Sequence, residues 1–186
     1  MSIISSSSSN DGDSLWHSMP KVNAELFSMT YGAIVAQILK DYEEPEEVNG
    51  MLFRMGQFIG RRLVDEFFAK SKIPTCGSIR ETADNIAKIG FKMFLGIQAQ
   101  TTFPGPENVF HIIFKDNPMT EFVELPEKLQ SISYCNVLCG VIQGALEMVH
   151  ITSACTFVQD QLKGNEVNEM RVEIRGTLKE GSGAGE

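Results

Sequence analysis

Two apolar segments of this chain carry glycines four residues apart, Gly56/Gly60 and Gly140/Gly144. On a helix, positions i and i+4 share one face. Each pair therefore strips a stripe of side chains and lets a neighbouring backbone approach. The apolar spacing around both pairs is helical. The first segment runs from about residue 46 to 70, with Leu52, Met55, Phe58, Ile59, Leu63, Phe67 and Phe68 as its apolar positions. The second covers residues 134–150, where Val137, Leu138, Val141, Ile142, Ala145, Leu146, Met148 and Val149 circle the helix. Asn136, Gln143 and Glu147 interrupt it. A bilayer needs about 20 apolar residues, so this segment is too short and too polar to span one. It reads as the buried central helix.

The remaining pattern places these two segments. A helix opens at Asn23 and ends near Tyr42, with Leu26, Phe27, Tyr31, Ile34, Val35, Ile38 and Leu39 as apolar positions. Asp41, Glu43, Glu44, Glu46 and Glu47 then surround Pro45. Proline ends one helix and suits the first turn of the next, where acids favour the dipole. The alternating-ligand calcium loop is absent. Another helix starts at Ser78, which has capping-box spacing to Glu81, and reaches about Gly96. Beyond Ile97 the pattern changes to short β-branched or aromatic runs. Residues 99–103 and 109–114 flank Pro104-Gly105-Pro106 as a strand pair, and 122–125 is a short extended segment. Residues 152–159 and 170–174 form a second strand pair across Lys163-Gly164-Asn165. Helices and strands in separate runs predict an α+β fold, with helices packed on one face of an antiparallel sheet.

A chain of 186 residues, 42% hydrophobic and 22% charged, suits one globular domain. Residues 1–20 are Ser-rich and polar and are expected as a disordered tail. Residues 177–186 are expected as a flexible Gly-rich end, which leaves 21–176 as a single domain. A net charge of −8 argues against nucleic acid as a partner. Residues 1–10 lack the basic and apolar regions of a signal peptide. The four cysteines therefore read as reduced cytosolic thiols.

Cys76 stands just ahead of the helix that starts at Ser78. The dipole there favours negative charge, as on a thiolate. Ala83, Ile86, Ala87, Gly90 and Met93/Phe94 follow at the spacing of one face. Gly90 narrows that face and leaves room for a slot. A thiol beside an apolar slot suits a covalently held acyl chain. Taken alone, this chemistry favours a loop cysteine before an ordinary core helix, with the acyl slot as the alternative. His17, His111 and His150 have no zinc-like spacing to the cysteines, and Cys135 and Cys139 read as core packing. No phosphate loop and no motif for a cysteine nucleophile with a base are present. No metal site and no catalytic residue are expected.

An ordered series of segments resembles a known family. It includes Thr30-Tyr31-Gly32-Ala33, Asp41-Tyr42-Glu43, Met55-Gly56, Ile59-Gly60, Arg62-Leu63, Arg80-Glu81-Thr82-Ala83-Asp84 and Phe91-Lys92-Met93. It continues through Asn117-Pro118, Phe122-Val123-Glu124-Leu125-Pro126, Gly144-Ala145-Leu146-Glu147-Met148-Val149, Phe157-Val158-Gln159-Asp160 and Leu162-Lys163-Gly164. Over about residues 23–175 the chain resembles the small core subunits, of the type numbered three, of the TRAPP (transport protein particle) tethering complex. The resemblance implies helices on one side of a four-stranded antiparallel sheet. It implies palmitate in thioester linkage to Cys76, held in an apolar channel along which Gly90 stays small. Helix phase adds Ala83, Ile86, Ala87 and Met93 to that channel. Such an internal chain is not a membrane anchor. Thr75 stands where family members often carry Arg.

The same resemblance implies a non-enzymatic subunit. It pairs with related small subunits, as homodimer or heterodimer, through the helices at 23–42 and 46–70. The assembly promotes guanine-nucleotide exchange on a Rab GTPase and tethers vesicles between endoplasmic reticulum and Golgi. The expected location is cytoplasmic, peripheral at the cis-Golgi and endoplasmic reticulum through the complex. Two other classes fit the residues: a stand-alone lipid or small-ligand sensor with an exchangeable slot, and a Cys76-dependent acyl thioesterase, for which no base is evident.

Overall fold

The computed structural model describes residues 7–73 and 76–177. Local chemistry sets its helix ends. Helix α1 spans Ser7–Ser18 and α2 spans Ala24–Asp41. Asn23 caps α2, its side chain accepting the Leu26 N–H at 2.8 Å. Helix α3, Pro45–Ser71, begins with Pro45 in its first turn and carries Glu46 and Glu47 there. Ser78 caps α4, Ile79–Asp84, by accepting the Glu81 N–H at 3.2 Å. Glu81 Oε2 reaches back to accept the Gly77 N–H at 2.8 Å. The helix then widens into a π-helical turn, Asn85–Gly90, and resumes as α5, Phe91–Leu95. It stops at Gly96, whose φ of 75° is left-handed.

Four strands follow from the β-branched runs: β1 (Ala99–Thr102), β2 (Val109–Phe114), β3 (Ile151–Gln159) and β4 (Asn168–Thr177). Their order is β1-β2-β4-β3, with antiparallel neighbours throughout. The period of two sorts their side chains. Phe110, Ile112, Phe114, Met170 and Val172 are buried toward the helices. His111 and Arg171 pair across strands and alternate with those core residues. Helix α6, Asn136–Met148, links the two strand pairs in sequence. The fold is α+β, as the element order predicts. The segment 122–125 joins no strand of this sheet.

The two glycine pairs are each other's partners. A Cβ at Gly56 would fall 2.0 Å from the Val137 carbonyl oxygen, and one at Gly60 would fall 2.1 Å from that of Val141. Reciprocally, a Cβ at Gly140 would lie 2.0 Å from the Phe53 oxygen and one at Gly144 would lie 2.3 Å from the Gln57 oxygen. The obstacles are backbone atoms, so no side-chain rotation relieves them. Arg61 and Glu147 bridge the same crossing at 2.9 Å.

The expected tail over residues 1–20 is corrected by α1. Gly12 packs against the Lys88 carbonyl, where a Cβ would sit at 2.7 Å, and Asp13 pairs with Lys92 at 3.0 Å. Trp16 lies over Gly96. Serine-rich composition hides this helix because its anchor is an aromatic seat some 80 residues away in sequence. Residues 1–6 and 178–186 lie outside the described residues.

Asp84 ties α4 to the sheet through a hydrogen bond from the Thr101 hydroxyl, and Lys88 lies 2.9 Å away. Partial burial pushes the Asp84 carboxyl up, but the Thr101 and Lys88 hydrogen bonds and the charges of Lys88 and Arg80 outweigh it. The group is held below the ordinary carboxylate value.

Two predictions follow from this framework. Gly56→Ala or Gly140→Ala is expected to destabilise the fold by about 3 kcal/mol through overpacking. Gly50→Ala, in the same α3 with open space around it, is expected to stabilise by about 0.5–1 kcal/mol; urea unfolding curves of the three variants test the contrast. A carboxyl held low in the folded state stabilises above its unfolded value, and that contribution is lost as pH falls through the folded value. Melting temperature is therefore expected to drop below about pH 4, and Asp84→Asn is expected to flatten that acid limb in a pH series.

Candidate functional site

Cys76 lies two residues before the cap of α4, after the left-handed Lys72 has ended α3. Its Sγ is half-buried and accepts a hydrogen bond from Asn85 Nδ2 at 3.2 Å. Asn85 is the first residue of the π-helical turn, a widened turn of the kind often found at functional sites.

The thiol opens onto a cavity of about 520 Å³. This falls within the range of about 300–1,000 Å³ usual for ligand pockets. Phe27, Tyr31 and Ile34 of α2, Met55, Leu63 and Phe67 of α3, and Val137, Val141 and Ala145 of α6 form three of its walls. Thr82, Asn85, Ile86, Gly90, Phe91 and Phe94 form the fourth. No charged side chain and no histidine lines it among the described residues. A space of this composition favours an apolar occupant.

Of the residues expected along the channel, Cys76, Ile86 and Gly90 come together on the wall. A Cβ at Gly90 would meet only the Asn85 carbonyl oxygen, at 3.8 Å, so the glycine leaves space beside the thiol. The lining is corrected at Ala83, Ala87 and Met93. Ala83 and Ala87 are fully buried in the core shared with the sheet, and Met93 is also buried away from the cavity. The π turn is the physical reason. It widens the helix to more than four residues per turn, so Thr82, Ile86, Gly90 and Phe94 fall in line, each four apart. A regular helix would carry the face on to Met93. Thr82, Asn85 and Phe91 were not expected there. Asn85 directly follows Asp84 and falls outside the apolar repeat, so the sequence carries no signal for it.

The other three cysteines differ from Cys76. Cys135, Cys139 and Cys155 are buried. Burial pushes the Cys135 and Cys139 thiols well up, against a favourable hydrogen bond from Asn117 to Cys135 and with Cys155 beside Cys139. Buried thiols of this kind are inert. Among the described residues no group of His, Cys, Asp and Glu could hold a metal, and no helix is long and apolar enough to cross a membrane.

The cavity borders an unusual surface. Leu26 (64% exposed), Met29 (69%) and Phe58 (64%) lie open on α2 and α3. Phe27, Ile34 and Ile59 are partly exposed and also line the cavity.

Residues 27–173 match the family described as transport protein particle (TRAPP) component. Trafficking protein particle complex subunit 3 of Dictyostelium discoideum is 45% identical over 171 residues, covering 91% of this chain and 92% of the relative. Subunit BET3 of the same complex from Saccharomyces cerevisiae is 39% identical over 173 residues, covering 91% and 90%. A crystal structure of the Naegleria fowleri subunit 3, described as covalently bound to palmitic acid, is 43% identical with a TM-score of 0.82, covering 87% of this chain and 100% of that one. The match spans the helices that wall the cavity and the sheet beneath them, and the chain belongs to the TRAPP component family.

Proposed function

We propose that this chain is a non-catalytic core subunit of the TRAPP vesicle-tethering assembly and carries a palmitoyl chain on Cys76 inside the cavity. One observation carries the reading: a half-buried thiol opens onto an uncharged cavity of about 520 Å³. The N. fowleri relative described with covalently bound palmitic acid supports it. A buried chain of about fifteen methylenes, at roughly 0.8 kcal/mol each, adds on the order of 10 kcal/mol of gross apolar burial. Burial inside the fold leaves none of the chain for a bilayer, so membrane association runs through the complex.

The exposed apolar residues of α2 and α3 supply the face for a related small subunit, in a homodimer or a heterodimer. A patch of this kind calls for a partner. In the assembly the subunit serves guanine-nucleotide exchange on a Rab GTPase in transport between endoplasmic reticulum and Golgi. Its place is cytoplasmic, peripheral at the cis-Golgi and endoplasmic reticulum. Among the described residues the cavity offers a thiol but no histidine or carboxylate to act as a base, which favours a holding role over turnover.

The test is the denatured intact mass of protein purified from a eukaryotic host, before and after neutral hydroxylamine. An excess of one palmitoyl group that hydroxylamine removes, mapped to Cys76, is expected. Cys76→Ser is expected to lose the excess and melt at a lower temperature while still folding. Gly90→Leu is expected to fill the slot and lower the acylated fraction. An unmodified mass, or an unchanged fraction in Gly90→Leu, overturns the acyl-channel reading.

A further inference from the structure

We propose that Asn85 is the positioning residue of the acyl-bearing site, orienting the Cys76 thiol and supplying the hydrogen-bond donor for the carbonyl oxygen as a long-chain acyl group is transferred to Sγ. The inference rests on the reading of Cys76 as the acyl-bearing residue.

The polar side chains of the cavity wall carry the argument. Thr30 donates its hydroxyl to the Leu26 carbonyl at 2.7 Å, and Thr82 donates to the Ser78 carbonyl at 2.9 Å. Tyr31 donates to the Tyr134 carbonyl at 2.5 Å. Each of these donors is occupied by the protein's own backbone. Asn85 instead turns its amide to the thiol, at 3.2 Å. The amide carries two N–H groups, and the second has no partner among the described residues. Asparagine is a poor choice for a helix interior, because its side chain competes for backbone groups. Here it sits where the helix widens, and its side chain faces the thiol.

Acyl transfer needs such a donor. Sγ attacks the carbonyl carbon of an acyl thioester. The new C–S bond forms as the bond to the leaving thiol breaks, and the proton of Cys76 departs with that thiol. Negative charge passes through the carbonyl oxygen on the way, and a fixed N–H beside it lowers the barrier. An amide exchanges no proton in this step, so Asn85 orients and stabilises without acting as a base.

The experiment uses the full chain, stripped with hydroxylamine, and palmitoyl-coenzyme A as the probe, with intact mass following acylation over time. Asn85→Leu is expected to slow the saturating rate by about tenfold or more, at an unchanged half-saturating concentration and an unchanged unfolding midpoint. Asn85→Gln, which keeps the amide, is expected to recover part of the rate. An equal saturating rate in Asn85→Leu overturns the inference, as does a loss confined to the half-saturating concentration, which would mark a change of cavity shape. If the unsubstituted protein takes no palmitate from the probe, this inference falls, while the acyl reading of Cys76 stands or falls on the hydroxylamine-sensitive mass of the protein before stripping. Acylation of the unsubstituted protein with no effect of Asn85→Leu removes only the role of Asn85.

Discussion

The contact of two backbones at the α3–α6 crossing is the constraint on which the rest of the molecule depends. Four glycines make it: Gly56 and Gly60 on one helix, Gly140 and Gly144 on the other, each facing a carbonyl of the partner. Glycine inside a helix costs about 0.5–1 kcal/mol relative to alanine, so the four together cost roughly 2–4 kcal/mol. Close packing along the crossing must offset that sum. Helix α6 is buried on several sides, with Val137, Cys139, Ile142 and Leu146 all in the core. Its position relative to α3 therefore fixes where the sheet and the remaining helices can sit. The Arg61–Glu147 pair is a partly exposed addition to this contact and contributes little by comparison.

The cavity is built on the same pair of helices. Met55, Ile59 and Leu63 follow the spacing of the α3 glycines one position out of step, and Val137, Val141 and Ala145 do the same on α6. Where the glycines stand the backbones touch. Beside them, the same two helices present apolar side chains to an open space. The π turn completes the enclosure from the other side. It brings Gly90 and Asn85 onto one wall with Cys76, and so sets a bare stretch of wall and a hydrogen-bond donor next to a thiol.

Much of this was legible in the sequence because it is local. Asn23, Pro45 and Ser78 mark helix starts through contacts within four residues, and each does so in the structure. The alternation in residues 109–114 marks a strand, and the resemblance of the ordered motifs to TRAPP subunits identified the family. The unread parts are those that depend on distant partners. Nothing in the spacing of Gly56 and Gly60 says that Gly140 and Gly144 oppose them. Helix phase assigned Ala83, Ala87 and Met93 to the wall because a π turn leaves no plain mark in a sequence. Asn85, which directly follows Asp84, carries no mark of its own and has meaning only once the thiol is known to face it. Helix α1 escaped for the same reason: Trp16 finds its seat only when Gly96 has been folded into place.

That N-terminal helix has a mechanical consequence. A π turn closes its backbone hydrogen bonds over five residues, where the α-helical segments on either side close them over four, and such turns are rare. In this protein it is buttressed from outside: Gly12 abuts the Lys88 carbonyl, Asp13 grips Lys92, and Trp16 closes over the end of α5. These residues precede the span 27–173 that carries the family match. The stiffness of the wall that faces Cys76 is thus shared with a segment upstream of the span of the family match. Removing α1 alone would take away the brace behind the thiol and the cavity.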